Sequence, residues 1–109
     1  TDCDGHPENA LSRDEMLDNI MLYWCTASAT SSARLYWESF NSLARFAIDL
    51  PTGVSIYPKE IFRASRRWAE RHYRNLIHWN ELDKGGHFAA LECPQVFVDE
   101  VRACFGTQR

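Results

Sequence analysis

The sequence predicts an α/β fold in which parallel strands are joined by helices. Strand-like runs alternate with helix-like runs in the second half of the chain. Two consecutive strands with a helix between them pair in parallel through a right-handed crossover. The composition is that of an ordinary globular domain, with 45% hydrophobic and 25% charged residues, so disorder, collagen and coiled coil are excluded. At 109 residues the chain has room for one domain at most, burying roughly two-thirds of its unfolded surface.

The elements follow in order. Residues 1–11 are polar and carry Gly5 and Pro7, which predicts a loop or frayed terminus. Ser12 with Glu15 forms a capping-box pattern, in which hydroxyl and carboxylate each satisfy an orphaned backbone amide. Met16, Leu17, Ile20, Met21 and Trp24 then recur at helical spacing, predicting an amphipathic helix buried along one side. The small, hydroxyl-rich stretch 27–32 predicts an interruption with a fresh N-cap at Ser31 or Ser32, followed by a short helix through residues 33–40. Phe46, Ile48 and Leu50 alternate, as do Val54 to Tyr57 after Pro51-Thr52-Gly53, which predicts an interrupted strand ending near Pro58. A helix from Pro58 or Ser65 to Tyr73 comes next, then a second strand over Leu76–Leu82 and a turn at Asp83–Gly86. The last helix starts near Pro94, presents Phe97, Val101, Cys104 and Phe105 on one face, and stops at Gly106.

Two strands leave an unpaired edge on each side, and 14 aromatic residues exceed what such a sheet needs to cover. The expectation is the end of a larger α/β domain. A net charge of −3 and a pI near 5.7 argue against a nucleic-acid or membrane-surface binder. Arg63, Arg67, Arg71 and Arg74 read as the solvated side of a helix. No apolar run approaches bilayer-spanning length. The four cysteines form neither a C-x-x-C pair nor a dense disulfide framework; Cys25 and Cys104 lie among apolar residues, and a reducing cytoplasm is expected. Cys3-x-x-His6 has no second ligand pair, and Asp2-x-Asp4-Gly5 lacks the later Glu of a calcium loop. No metal or cofactor is implied.

Three places can carry chemistry. Gly85-Gly86-His87-Phe88 follows directly on a strand, where α/β folds build active sites. The glycines allow a sharp turn, and His87 is a candidate general base or a turn cap. Glu60, shortly after the other strand, can accept the imidazole N–H and fix its tautomer, or can complement the dipole of a helix N-terminus. Tyr36 can donate a hydrogen bond to a developing alkoxide, although a tyrosine beside a tryptophan in a helix is more often a packing residue. His72 and His78 are given no role.

The stretches 12–24, 31–39, 51–60 and 85–94, with Gly-Gly-His-Phe-Ala-Ala at 85–90 the most distinctive, closely resemble the C-terminal part of microsomal-type epoxide hydrolases. The resemblance implies an α/β-hydrolase fold in which 12–42 ends a helical cap and 43–109 is the C-terminal part of the core. It also implies the family chemistry. An Asp nucleophile opens the epoxide to an alkyl-enzyme ester, a His–acid pair activates water against that ester, and two cap tyrosines hold the epoxide oxygen. Carried over by position, His87 is the base, Glu60 its acid and Tyr36 one tyrosine. The 109 residues contain no Gly-x-Asp-x-Gly turn and no His-Gly-x-Pro loop, and Cys25-Thr-Ala-Ser-Ala-Thr30 replaces the family's Thr-Gly-Thr texture. The expected function is therefore the water-activating half of an epoxide hydrolase, acting on a small-molecule epoxide and inactive alone. Its expected partner is an N-terminal hydrolase portion. The alternative is a non-catalytic module that oligomerises through its sheet edge.

Overall fold

The computed structural model describes residues 2–39 and 47–106, which fall into two compact units. One comprises the first ten residues together with everything from Ala47 onward, and the other spans Leu11–Phe46.

The smaller unit holds two helices, α1 (Arg13–Thr26) and α2 (Ala29–Ser39). The capping box is formed as expected: the Ser12 hydroxyl accepts from the Glu15 amide at 3.2 Å, and Glu15 accepts from the Ser12 amide at 2.8 Å. These contacts hold the Glu15 carboxyl below its usual range. Ala27 ends α1 in the left-handed conformation at φ 51°. The chain re-enters helix at Ala29, earlier than a cap at Ser31 or Ser32 would place it. Both serine hydroxyls instead donate back to the carbonyls of Ser28 and Ala29, at 3.0 and 2.8 Å. The expected burial of one side of α1 is not found: Leu17, Ile20 and Met21 are exposed, and Trp24 is 79% exposed. Helical spacing shows which face seeks cover without showing where the cover comes from. Phe40, Arg45 and Phe46, at the end of the second predicted helix and the start of the first predicted strand, lie outside the described residues.

The larger unit is built on two parallel strands, β1 (Thr52–Ile56) and β2 (Leu76–Glu81), connected through α3 (Arg66–His72). The register pairs Gly53 with His78 and Ile56 with Glu81, after one irregularity between Thr52 and Gly53. Parallel pairing extends beyond both strands, to an Ile48–Tyr73 bridge before them and a Lys59–Gly86 bridge after them. The Leu82 amide donates to Ile56 O at 2.9 Å and the Lys59 amide to Gly85 O at 3.1 Å, so the ladder runs on into the turn. The helix expected from Pro58 or Ser65 begins at Arg66. Arg63 and Arg74 therefore lie off the helix, and the arginine row read from the sequence is not a single helical stripe. Arg66 pairs with Glu70, and Arg74 with Asp49. A one-turn helix, α4 (Ala89–Glu92), was not foreseen; α5 (Pro94–Phe105) was, with Pro94 in its first turn.

Among the described residues the buried core is small, consisting of Ile56, Tyr57, Ala69, Ala89, Cys93 and Cys104. Tyr57, Ala89 and Cys93 form one cluster, with Leu82 and Val96 packed against it. Cys104 is buried as expected, whereas Cys25 is exposed. Of the apolar face of α5, only Cys104 is buried; Phe97, Val101 and Phe105 stay exposed. No helix among the described residues is long and apolar enough to cross a membrane.

A polar tie joins α5 to the sheet. Glu100 accepts from Ser55 Oγ at 2.7 Å, from Asn80 Nδ2 at 2.7 Å and from His78 Nε2 at 2.8 Å. Burial pushes the Glu100 carboxyl up, but the hydrogen bonds from His78, Ser55 and Asn80 outweigh it and hold the group below the usual carboxylate range.

Two predictions follow from these contacts. Ala27→Gly removes the Cβ clash of a left-handed C-cap and raises thermal stability by about 1 kcal/mol, read by circular dichroism; an unchanged or lower melting temperature would refute the strain. A carboxyl depressed in the fold contributes stability above its unfolded value of 4.5 and loses it as the pH falls through the lower folded value. Glu100→Gln therefore weakens the chain by about 1–3 kcal/mol near neutrality, and its stability falls less steeply on acidification. Parallel acid unfolding curves for the two proteins would sink that account.

Candidate active site

Glu60 and His87 meet because the two segments pair again beyond the strands. Lys59 and Gly86 are bridged partners, and Glu60 and His87 are the residues that follow them on the two neighbouring segments. Adjacent strands lie about 4.8 Å apart, so two side chains at the same level on the same side are within hydrogen-bonding reach. Here His87 Nδ1 lies 2.7 Å from Glu60 Oε1. The imidazole is 46% exposed and the carboxylate 27%.

The electrostatics fix the direction of this bond. The hydrogen bond from His87 lowers the Glu60 carboxyl below its usual value and, with help from the Ile61 and Phe62 amides, prevails over the partial burial that raises it. An ionised carboxylate only accepts, so Nδ1 carries the proton and Nε2 is the basic atom of the neutral ring. The Ile61 amide donates to the same Oε1 at 2.6 Å, holding the carboxylate in place. Phe88 stands edge-on to the imidazole with ring centroids 4.9 Å apart. An open depression of about 460 Å3 surrounds the pair, lined also by Tyr57, Phe88, Leu91 and Phe97. Such a surface can hold a water at Nε2 beside an apolar group.

The backbone that presents His87 depends on its glycines. Gly85 has φ +101°, where a side chain is strained, and a Cβ there would meet Cys93 Sγ at 2.7 Å and Tyr57 Cδ1 at 2.8 Å. At Gly86 a Cβ would meet Glu92 Oε2 at 2.9 Å and the Asp2 amide nitrogen at 3.1 Å. The Asp2 contact was not legible in the sequence. The amino-terminal segment is a turn of 3-10 helix (Pro7–Asn9) preceded by residues docked on this loop, so Asp2 is not frayed: its Oδ2 accepts from the Gly85 amide at 3.0 Å. Glu92 was also missed. It accepts from the Asp2 amide at 2.7 Å and from the Phe88 amide at 2.9 Å.

Tyr36 lies on α2, in the other unit, and is 69% exposed. His78, given no role from the sequence, is a partner of Glu100; His6 accepts from the Glu8 amide through Nδ1. Among the described residues no group of three or more His, Cys, Asp and Glu side chains has the geometry to hold a metal ion.

Two parallel strands joined through a helix, with a His–carboxylate pair beyond their carboxyl ends, define the end of an α/β sheet. The structure matches the crystal structure of juvenile hormone epoxide hydrolase from the silkworm Bombyx mori, with a TM-score of 0.84 and 34% identity, over 95% of this chain and 27% of that one. The sequence is 59% identical over 106 residues to a predicted epoxide hydrolase of Stigmatella aurantiaca. It is 36% identical over 109 residues to epoxide hydrolase 1 of Sus scrofa. These alignments take in 96% and 94% of this chain but only 24% of each relative, so the chain spans about a quarter of the length of the curated relatives it matches. No protein-family model matches it. Within the α/β-hydrolases, the chain is a homologue of the C-terminal part of epoxide hydrolases.

Gly85→Ala should unseat the turn. Strain at a positive φ together with the clash on Tyr57 costs about 2 kcal/mol or more, and the His87–Glu60 bond opens. Retention of wild-type stability and of the His87 Nδ1–H proton signal in this variant would contradict the account.

Proposed function

We propose that this chain carries the water-activating half of an epoxide hydrolase. His87 is the general base, Glu60 the acid that orients it, and Tyr36 a donor to the epoxide oxygen. The observation that carries the reading is the 2.7 Å bond between His87 Nδ1 and Glu60, formed where the register sets the two side by side.

The chemistry follows from the protonation state. In the family's first step a carboxylate oxygen attacks an epoxide carbon, the C–O bond breaks, and the alkoxide takes a proton from a tyrosine. The ester left behind needs a hydroxide-like attacker. Water at Nε2 of His87 gives up its proton to the ring as its oxygen adds to the ester carbonyl, and the imidazolium is stabilised by Glu60 across Nδ1–H. As the tetrahedral intermediate collapses, the ester C–O bond breaks and the imidazolium gives its proton to the departing diol oxygen. The proton of the added hydroxyl returns to the tyrosinate, restoring carboxylate, neutral histidine and tyrosine. The 109 residues supply the base and acid of this second step and, in Tyr36, one donor for the first. They contain no aspartate in a Gly-x-Asp-x-Gly setting to supply its nucleophile.

The expectation is that the chain alone does not hydrolyse styrene oxide, since removing a nucleophile costs about a million-fold in covalent hydrolases. Mixed with the preceding residues of the Stigmatella aurantiaca relative, it should form diol, and His87→Ala should abolish that turnover while an alkyl-enzyme ester accumulates. Diol formation by the isolated chain that disappears in His87→Ala would refute the division of labour. Turnover by the mixture that survives His87→Ala would refute the role of the histidine.

A further inference from the structure

We propose that Asp2 and Glu92 are positioning residues for His87: a carboxylate strap that ties both sides of the Gly85–Phe88 turn and holds the imidazole on Glu60. The proposal rests on the His87–Glu60 reading and extends it to groups that touch neither water nor substrate.

The turn has few other means of holding its shape. Past the Lys59–Gly86 bridge the β ladder ends, and α4 begins only at Ala89, so His87 and Phe88 lie between two regular elements. His87 is half exposed, with the edge of Phe88 as its ring contact. Its orientation is therefore set by the backbone beneath it. Two amides of that backbone end on the strap: Gly85 N–H on Asp2 Oδ2 at 3.0 Å and Phe88 N–H on Glu92 Oε1 at 2.9 Å. The strap is closed between them, because the Asp2 amide donates to Glu92 Oε2 at 2.7 Å. Three hydrogen bonds thus join the turn, the chain's second residue and the end of α4 into one ring around Gly86.

The packing agrees. A Cβ at Gly86 would meet Glu92 Oε2 at 2.9 Å and, both at 3.1 Å, the Asp2 amide nitrogen and Lys59 Cβ, so the strap lies directly against the backbone on which His87 follows. Each bond in it joins an N–H to an ionised oxygen, the stronger class of hydrogen bond. A tilt of the turn by an ångström would lengthen the His87–Glu60 contact beyond hydrogen-bonding distance. That contact fixes which ring nitrogen is basic, so the strap controls the tautomer as well as the position.

The test is the tautomer of His87, read from ring 15N shifts of the full 109-residue chain in alkaline solution, where the imidazole is neutral. Glu60→Ala defines the loss of the pair and should lower the Nδ1–H to Nε2–H ratio about tenfold. Asp2→Ala and Glu92→Gln should each lower it at least about threefold. Asp2→Asn keeps an oxygen for the Gly85 amide while removing the charge, and should restore the wild-type ratio. If Asp2→Ala speeds exchange of the Gly85 amide but leaves the tautomer ratio unchanged, the strap is only structural and the proposal fails. It also fails if Asp2→Asn behaves like Asp2→Ala, since charge rather than hydrogen bonding would then be responsible. Should Asp2→Ala not fold, Glu92→Gln decides on the same readout. A ratio unmoved by Glu60→Ala would sink the His87–Glu60 pair itself, which is a separate result.

Discussion

The parallel register between residues 48–59 and 73–86 is the constraint on which the larger unit depends. Pairing starts at the Ile48–Tyr73 bridge, runs through β1 and β2 to Ile56–Glu81, and resumes at Lys59–Gly86 with extra residues of the second segment looped out in the turn between. The Lys59–Gly86 bridge restores parallel pairing after the turn and fixes which residues stand side by side beyond it. Glu60 and His87 are the residues that follow that bridge on the two segments, and so they reach the same level. A slip of one residue would turn every side chain to the opposite face and separate the pair. The small residue at Gly53 lets Cys104 of α5 sit against the sheet, and Glu100 on the same helix reaches Ser55, His78 and Asn80. The pairing of the two strands is thus secured on one side by α5, and the His87–Glu60 bond forms beyond their carboxyl ends.

Much of this was legible in the sequence because it is written in local chemistry. The capping box at Ser12 and Glu15, Pro94 opening α5, and the turn at Gly85-Gly86 each solve a problem within a few residues, and each stands where the pattern predicts. The Glu60–His87 pairing was legible at one remove, since two strands with a helix between them run parallel and their ends coincide. The misses are non-local. Asp2 reaches Gly85 across 83 positions, and no periodicity marks an aspartate in a polar terminal stretch for that contact. Glu100 sat in a helix as one more charged residue, although its partners lie at alternate strand positions where a polar face was visible. The burial of α1 failed for another reason: periodicity ranks the faces of a helix against one another and carries no information on whether a partner is present.

The core is thin for so aromatic a chain. Side chains such as Trp37 at 89% exposed and Phe62 at 78% exposed carry apolar area that folding of these residues leaves in water. Burying one such side chain gives roughly 1.5–3 kcal/mol, so each exposed ring is stabilisation not yet collected. Polar contacts matter correspondingly more here than in a domain with a deep core. The Glu100 tie, the strap at Asp2 and Glu92, and the Ser12–Glu15 box each restrain a segment that apolar packing alone holds weakly.

Two His–carboxylate pairs in one small unit show why geometry of the bond alone does not define a site. His78–Glu100 and His87–Glu60 have nearly the same length, 2.8 and 2.7 Å. Their surroundings differ. Glu100 is 12% exposed and also bound by Ser55 and Asn80, and His78 is 18% exposed, so the first pair is enclosed and its oxygens are occupied. Its carboxylate is held charged by three donors and serves as a fixed cross-link between helix and sheet. Glu60 has a backbone amide and the imidazole at one oxygen, and the ring above it is half open to a depression with apolar walls. A general base must exchange its proton with a substrate or a water, so it needs an accessible nitrogen as well as an anchored one. Glu60 anchors one ring nitrogen of His87, and the half-exposed ring lines the depression. At His78 the ring nitrogen facing Glu100 is consumed deep in the tie, and the pair has only structure to hold.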